Sequence, residues 1–296
     1  MRNIYMKHIL KVEHNDELLN YLLSQDLPYS RSKIKSLLKH ECISIDNEVT
    51  TQFDDLITAG QTITIVSHNQ QRDTPLQILY EDKDILVVDK PYKLLTVSNR
   101  KEEELTAFRL ASDYVKKQDS KNRIFVVHRL DQDTSGVLMF AKSEYVKRLY
   151  QDKWSELVDE RLYVAIVEGV VPKDKDVIRS FLRQNKTTHM YSTSSGQEAI
   201  TNYEVIKRTE NNTILKIQID TGRKNQIRVH MNDIGHPIIG DKKYDAKTNP
   251  LKRLGLHAYR LRVMNPKTKK MMTFVSPLPP KFKKLSKITP TQETSI

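Results

Sequence analysis

The apolar positions of this chain fall into short runs separated by polar turns. Ile124-Phe125-Val126-Val127 and Val137-Leu138-Met139-Phe140-Ala141 are β-branched and aromatic enough to predict strands, so residues 128–136 between them read as a loop. Asp133, Thr134, Ser135 and Gly136 supply its turn chemistry, because short oxygen-bearing side chains bond nearby backbone and glycine accepts positive φ. Residues 76–88 predict two short strands around Glu81-Asp82-Lys83-Asp84, and further strands are expected at 161–168, 177–182, 199–207 and 213–219. A helix is expected over 143–157, capped by Ser143, with Val146, Leu149, Tyr150 and Trp154 on one face. Another runs over 224–234, with Ile227, Met231 and Ile234 inward and Gly235 ending it before Pro237. Many strands with occasional helices predict an α+β fold on a largely antiparallel mixed sheet.

The N-terminal pattern is different. Leu18, Leu19, Leu22 and Leu23 lie at helical spacing within 16–24, and Pro28 closes the segment. Ser30 caps a second helix, 31–39, whose stripe of Ile34, Leu37 and Leu38 is inward while Arg31, Lys33, Lys35 and Lys39 stay outside. Strands at 42–45 and 61–66, with an Asp46-Asn47 turn, complete a small α/β unit. Polar residues up to Pro75 read as a linker. The expected division is therefore a module over 1–67, a linker over 68–75, a larger domain over 76–283 and a fraying tail over 284–296. Residues 184–197, rich in Ser, Thr, Asn and Lys, read as a mobile insertion facing the substrate.

Charge then changes the picture. The formal net charge is +12, which favours a polyanionic partner through counterion release. Cys42 is the only cysteine, which excludes an intramolecular disulfide or a cysteine-based zinc site and sets a reducing, cytoplasmic location as the expectation. The N-terminal segment lacks the continuous apolar stretch of a signal peptide or membrane span. A monomer is the default expectation.

Turn chemistry does not require His128-Arg129-Leu130-Asp131 ahead of it. A carboxylate and a guanidinium held at the mouth of a sheet by two strands present a reactive acid with little freedom to move, although a polar hairpin loop with a surface ion pair would use the same residues. The run His-Arg-Leu-Asp-x-x-Thr-Ser-Gly resembles the catalytic loop of the RluA-type pseudouridine synthases. Collinear similarities follow at Ile78-Leu79-Tyr80-Glu81-Asp82 with Asp89-Lys90-Pro91, at Arg161-Leu162-Tyr163-Val164-Ala165, at Thr221-Gly222-Arg223 through His230, and at Leu256-His257-Ala258. Together they span about residues 76 to 275. Two departures stand out, Lys93 where the family usually shows the glycine of a Pro-x-Gly turn, and Asn225 where it often has histidine. The N-terminal unit resembles, more loosely, a small RNA-binding module of a ribosomal protein that is attached to many RNA-modifying enzymes.

The resemblance implies a pseudouridine synthase fold with a central RNA-binding cleft, and an isomerase that converts uridine to pseudouridine in structured RNA, leaning toward large-subunit ribosomal RNA. The reaction breaks the N1 glycosidic bond, turns the base and rejoins it through carbon 5, so neither cofactor nor metal is expected. Asp131 is then the essential acid, attacking base or sugar or removing a sugar proton. Arg228 is the cation expected to pair with it and lower its pKa, and Tyr163 is the aromatic expected to pack on the target base or to take its proton. Leu256 is an apolar pocket wall, and Arg129 fills the gap left by a flipped base. Arg31 and Lys35 are expected to contact RNA phosphates. The alternative, a catalytically inactive RNA-binding or ribosome-assembly factor, need not keep Asp131, Tyr163 and Arg228 together. A metal-dependent RNA hydrolase lacks its ligand spacing.

Overall fold

The computed structural model describes residues 6–27, 29–39, 42–46, 48–67, 76–98, 105–289, 293 and 296. They divide into two units, Met1–Pro75 and Leu76–Ile296. Pro28, Asn47 and the expected linker lie outside the described residues.

The first unit contains β1 (Met6–Lys11), β2 (Asp16–Glu17), α1 (Leu18–Ser24), α2 (Arg31–Lys39), β3 (Ile43–Ile45), β4 (Glu48–Val49), β5 (Leu56–Ile57) and β6 (Thr62–Ser67). Its sheet has the order β1-β6-β3-β4, all antiparallel, and β2 pairs with β5. That pairing draws Asp16 and Glu17 out of the expected helix, which starts at Leu18. The heptad-like spacing of α2 has a direct result: Ile34, Leu37 and Leu38 are buried with Leu18, Leu22 and Ile63, while Arg31, Lys33, Lys35 and Lys39 are exposed. Ser30 Oγ accepts the Lys33 amide, and Lys35 Nζ sits 4.6 Å above the half-exposed ring of Phe53.

The second unit begins with β7 (Gln77–Glu81), β8 (Ile85–Lys90), α3 (Ala107–Gln118), β9 (Phe125–Val126), β10 (Ser135–Ala141), α4 (Glu144–Asp152) and α5 (Trp154–Leu157). It continues with β11 (Val158–Glu168), β12 (Lys175–Gln184), β13 (Met190–Thr193), β14 (Gln197–Arg208), β15 (Asn212–Ile219) and α6 (Gln226–Asp233). A 3-10 turn (Lys242–Tyr244), β16 (Leu256–Met264), β17 (Met271–Val275) and α7 (Pro280–Ser286) complete it. One mixed sheet runs β13-β12-β14-β15-β11-β16-β10-β8-β7, with β17 added to β16 and β9 to β10. Its pairs are antiparallel except β10 with β16, joined in parallel at Ser135–His257 and Gly136–Ala258. The unbroken apolar run of β8 follows from burial on both faces: Leu86 and Val88 meet α3 at Ala107 and Ala111, and Ile85 and Val87 meet α4 at Val146 and Tyr150. No helix among the described residues is long and apolar enough to cross a membrane.

The structure corrects several expectations. Gly136 is not a turn residue; it lies inside β10 at φ 118, where an added Cβ would sit 2.0 Å from the Ala258 carbonyl oxygen, so only glycine lets β16 approach. Residues 184–197 include a paired strand, β13, whose Met190 is buried beside Val229 and Tyr244 and whose Ser192 bonds Ser180. Hydroxyl pairs and one apolar anchor here replace the apolar alternation that marks most strands. The expected 143–157 helix breaks at Lys153 into α4 and α5. The tail does not fray at 284: α7 continues to Ser286, Ile288 and Ile296 are buried, and Glu293 pairs with Lys283 at 2.8 Å. The helix α3, capped by Thr106 Oγ1 on the Arg109 amide, has no counterpart in the pattern reading.

Candidate active site

An open cleft of about 1460 Å³ in the second unit is lined by the loops between β9 and β10, between β15 and α6, and before β16. Asp131, Tyr163, Arg228, Arg129 and Leu256 all face it. Arg31 and Lys35 belong to the first unit. The rim is basic, with Lys93, Lys224, Lys242, Lys243 and Lys252 against Asp133 and Asp220.

Asp131 sits on a loop fixed by backbone. Its own carbonyl accepts the Thr134 amide at 3.1 Å, closing a tight turn. One residue earlier, the buried Thr96 hydroxyl both accepts the Leu130 amide (3.1 Å) and donates to the Leu130 carbonyl (2.8 Å). One residue later, Lys90 Nζ, fully buried, donates to Gln132 O (3.2 Å), Leu94 O (2.7 Å) and Pro91 O (3.1 Å). Lys90 thus ties the loop to the Pro91-Tyr92-Lys93 turn, which survives the absent glycine because Lys93 itself takes φ 67. Behind the loop, His128 Nε2 accepts the Met139 amide at 3.1 Å, and burial lowers its pKa to about 4, so it is neutral.

Burial dominates the titration of the floor. It pushes the Asp131 carboxyl above its ordinary 3.8, against the attraction of Arg228 and Lys90. It lowers Lys90 to about 7, against the attraction of Asp131. Tyr163, from β11, is raised to about 12 by burial, and its hydroxyl has no hydrogen-bond partner among the described residues. Leu256, 3 % exposed, forms an apolar wall with Ile227 and Leu254. Arg129 is exposed and has no partner among the described residues.

Arg228 departs from the expected pairing. Its Nε and Nη2 donate to both carboxylate oxygens of Asp241, each at 2.6 Å, and it makes no direct ion pair with Asp131. Its guanidinium lies 5.0 Å from the Tyr244 ring, and Asn225 Nδ2 donates to the Tyr244 hydroxyl at 3.0 Å. Burial opposes the Arg228 charge, but Asp241, with Asp131 farther off, outweighs it and raises the pKa. A fork-to-fork pair inside the protein fixes both position and orientation of the guanidinium, so Arg228 reaches Asp131 as a field rather than as a contact. Asn225, at φ 54 before α6, holds the left-handed position that asparagine tolerates. Gln226 anchors the Thr221-Gly222-Arg223 turn: its Oε1 accepts from Thr221 Oγ1 (2.8 Å) and the Arg223 amide (3.0 Å). At the far end, Gly235 at φ 78 terminates α6.

Asp241→Asn is expected to destabilise the second unit by about 3 kcal/mol, because it leaves a buried guanidinium without its counter-charge. Thermal denaturation checks this; a change under about 0.5 kcal/mol would show that the pair is replaceable by water.

Comparison with known proteins gives a consistent result. A family model described as RNA pseudouridylate synthase matches residues 84–233. Ribosomal large subunit pseudouridine synthase D of Pasteurella multocida is 30% identical, over 96% of this chain and 95% of that protein. The protein of the same name from Nitrosomonas europaea is 31% identical, over 88% of this chain and 81% of its own length. Among solved structures, Human RNA Pseudouridylate Synthase Domain Containing 4 superposes with a TM-score of 0.57 at 25% identity, covering 70% of this chain and 90% of that one.

Proposed function

The chain belongs to the RNA pseudouridylate synthase family, and we propose that this isomerase acts on uridines of large-subunit ribosomal RNA, with Asp131 as the catalytic carboxylate. The substrate reading rests on the names of the relatives. The observation that carries the site is that Asp131, Tyr163 and Arg228, brought from three distant parts of the sequence, line one cleft with a cationic rim.

In this reading the rim takes RNA phosphates, and a flipped uridine enters the cleft while Arg129, which has no partner among the described residues, occupies the vacated space in the stack. Tyr163 and Leu256 hold the base between an aromatic and an aliphatic wall. Asp131 acts as the ionised carboxylate beside sugar and base while the N1 bond to carbon 1′ breaks. The base turns, carbon 5 bonds to carbon 1′, N1 takes up a proton and carbon 5 releases one. Arg228, pinned by Asp241, stabilises the Asp131 charge without quenching it. Tyr163 serves through packing, since a phenol raised to about 12 is a poor base at neutral pH. Release of tritium from carbon-5-labelled uridine in RNA tests the reaction; a chain that binds RNA without releasing tritium would be the inactive binding factor.

The pH dependence follows from Asp131. Only its ionised form reacts, and burial raises its pKa above 3.8. The single-turnover rate should therefore fall as pH drops, with the midpoint of the acid limb above 3.8. A midpoint at or below that value would contradict a desolvated carboxylate.

The first unit is read as an RNA-binding module through the exposed Arg31, Lys33, Lys35 and Lys39 of α2. A chain starting at Leu76 should then show a raised KM and a flatter salt dependence, with kcat within about tenfold. Steady-state tritium release at two salt concentrations, after circular dichroism has confirmed folding, checks this. Equal KM and equal salt slope would remove RNA binding from that unit.

A further inference from the structure

Two features singled out by sequence, Ser135 of the loop motif and His257 of the Leu-His-Ala strand, have no part in the chemistry above. We infer that they, with Arg253, form a positioning relay that fixes the exit of the Asp131 loop. The inference rests on the isomerase reading.

Arg253 Nη2 donates to Ser135 Oγ at 2.6 Å. Ser135 Oγ lies 2.8 Å from His257 Nδ1, and His257 Nε2 lies 3.0 Å from the Ser276 carbonyl oxygen and 3.1 Å from Ser276 Oγ. Ser135, His257 and Ser276 are 4%, 1% and 0% exposed, so each link is made within the protein. The Arg253 guanidinium lies 4.7 Å from the Tyr92 ring and 5.2 Å from the Phe282 ring, which leaves it little freedom.

The direction of every hydrogen bond in this relay is fixed by chemistry. A guanidinium only donates, so Ser135 Oγ accepts from Arg253. The neutral His257 ring carries one proton and turns its Nε2 to the Ser276 carbonyl oxygen, so its Nδ1 accepts from the Ser135 hydroxyl. A peptide carbonyl only accepts, so the His257 proton is on Nε2 and points to Ser276 O. Moving the proton to Nδ1 would leave an unprotonated Nε2 against the Ser276 carbonyl oxygen, two acceptors with no proton between them. Burial, which lowers the His257 pKa to about 4, acts in the same sense.

The relay ends four residues beyond Asp131, where Ser135 opens β10 and pairs with His257 of β16. Thr96 and Lys90 fix the loop at Leu130 and Gln132. Without the relay, only the short backbone pairing at Ser135 and Gly136 would tie the exit of the loop to β16, and the Asp131 carboxylate would be held less firmly in the cleft. A shift of that kind lowers the chemical rate while leaving phosphate contacts intact.

The test is steady-state and single-turnover tritium release by Ser135→Ala, Arg253→Met and the double variant in the full chain. Ser135→Ala should lower kcat about 30-fold with KM within twofold, and the double variant should be no slower than the slower single one, because both cut the same relay. Ser135→Ala with kcat within threefold of wild type, a change confined to KM, or losses that multiply in the double variant would overturn the relay. Should the variants not fold, nitrogen NMR of the wild-type protein decides: His257 must carry its proton on Nε2 alone at neutral pH, and a proton on Nδ1 would refute it. Absence of tritium release by wild type would instead remove the isomerase reading and leave the NMR result standing.

Discussion

Asp131→Asn should lower kcat by at least roughly a thousandfold while RNA affinity stays within about twofold of wild type. The amide keeps the volume and the Thr134 turn, which uses the Asp131 backbone carbonyl rather than its side chain. It cannot attack carbon or accept a proton. Stability should move the other way. Because burial raises the Asp131 pKa, the folded state binds more protons than the unfolded state between pH 3.8 and the raised value, so this group's contribution declines as pH rises through that window. At neutral pH the carboxylate is a net burden, and the asparagine variant should melt at or above the wild-type temperature. Turnover within tenfold of wild type would remove Asp131 from the chemistry; a lower melting temperature would show that its charge is structurally needed.

The largest effect on the fold should come from Gly136→Ala. The added Cβ would meet the Ala258 carbonyl oxygen at 2.0 Å and its carbon at 2.7 Å, both backbone atoms that no side-chain rotation can clear. The φ of 118 lies where alanine is strained even in open space. Relief requires β10 and β16 to separate at the one place where the sheet is parallel, which is also where the Asp131 loop ends. A loss of about 4 kcal/mol or more is expected, lowering the melting temperature by roughly 8–16 °C for a unit of this size. A shift of less than about 2 °C would mean that the strands tolerate separation.

How far the sequence could be read depends on the range of the interactions involved. The buried stripe of α2, the Gly235 terminus of α6 and the loop between β9 and β10 follow from local periodicity, positive φ and turn chemistry, and all are present. The partner of Arg228 was not legible. Asp241 immediately precedes the 3-10 turn after α6, and nothing periodic links it to Arg228, so the expected pairing with Asp131 gives way to a pair set by tertiary approach. The roles of Thr96 and of Lys90, which the sequence marks only as part of a motif, are hidden for the same reason: each acts on backbone carbonyls or amides of another segment, and a carbonyl acceptor has no residue type. Gly136 was placed but misread, because a turn glycine and a close-approach glycine look alike in a single sequence.

The central claim is that this cleft isomerises uridine in ribosomal RNA through Asp131. Its most direct test is to incubate unmodified large-subunit ribosomal RNA with the purified chain and to map pseudouridines nucleotide by nucleotide. Discrete new pseudouridines with wild type and none at those positions with Asp131→Asn are expected. Failure of the wild-type chain to form any, or equal formation by the asparagine variant, would contradict the account.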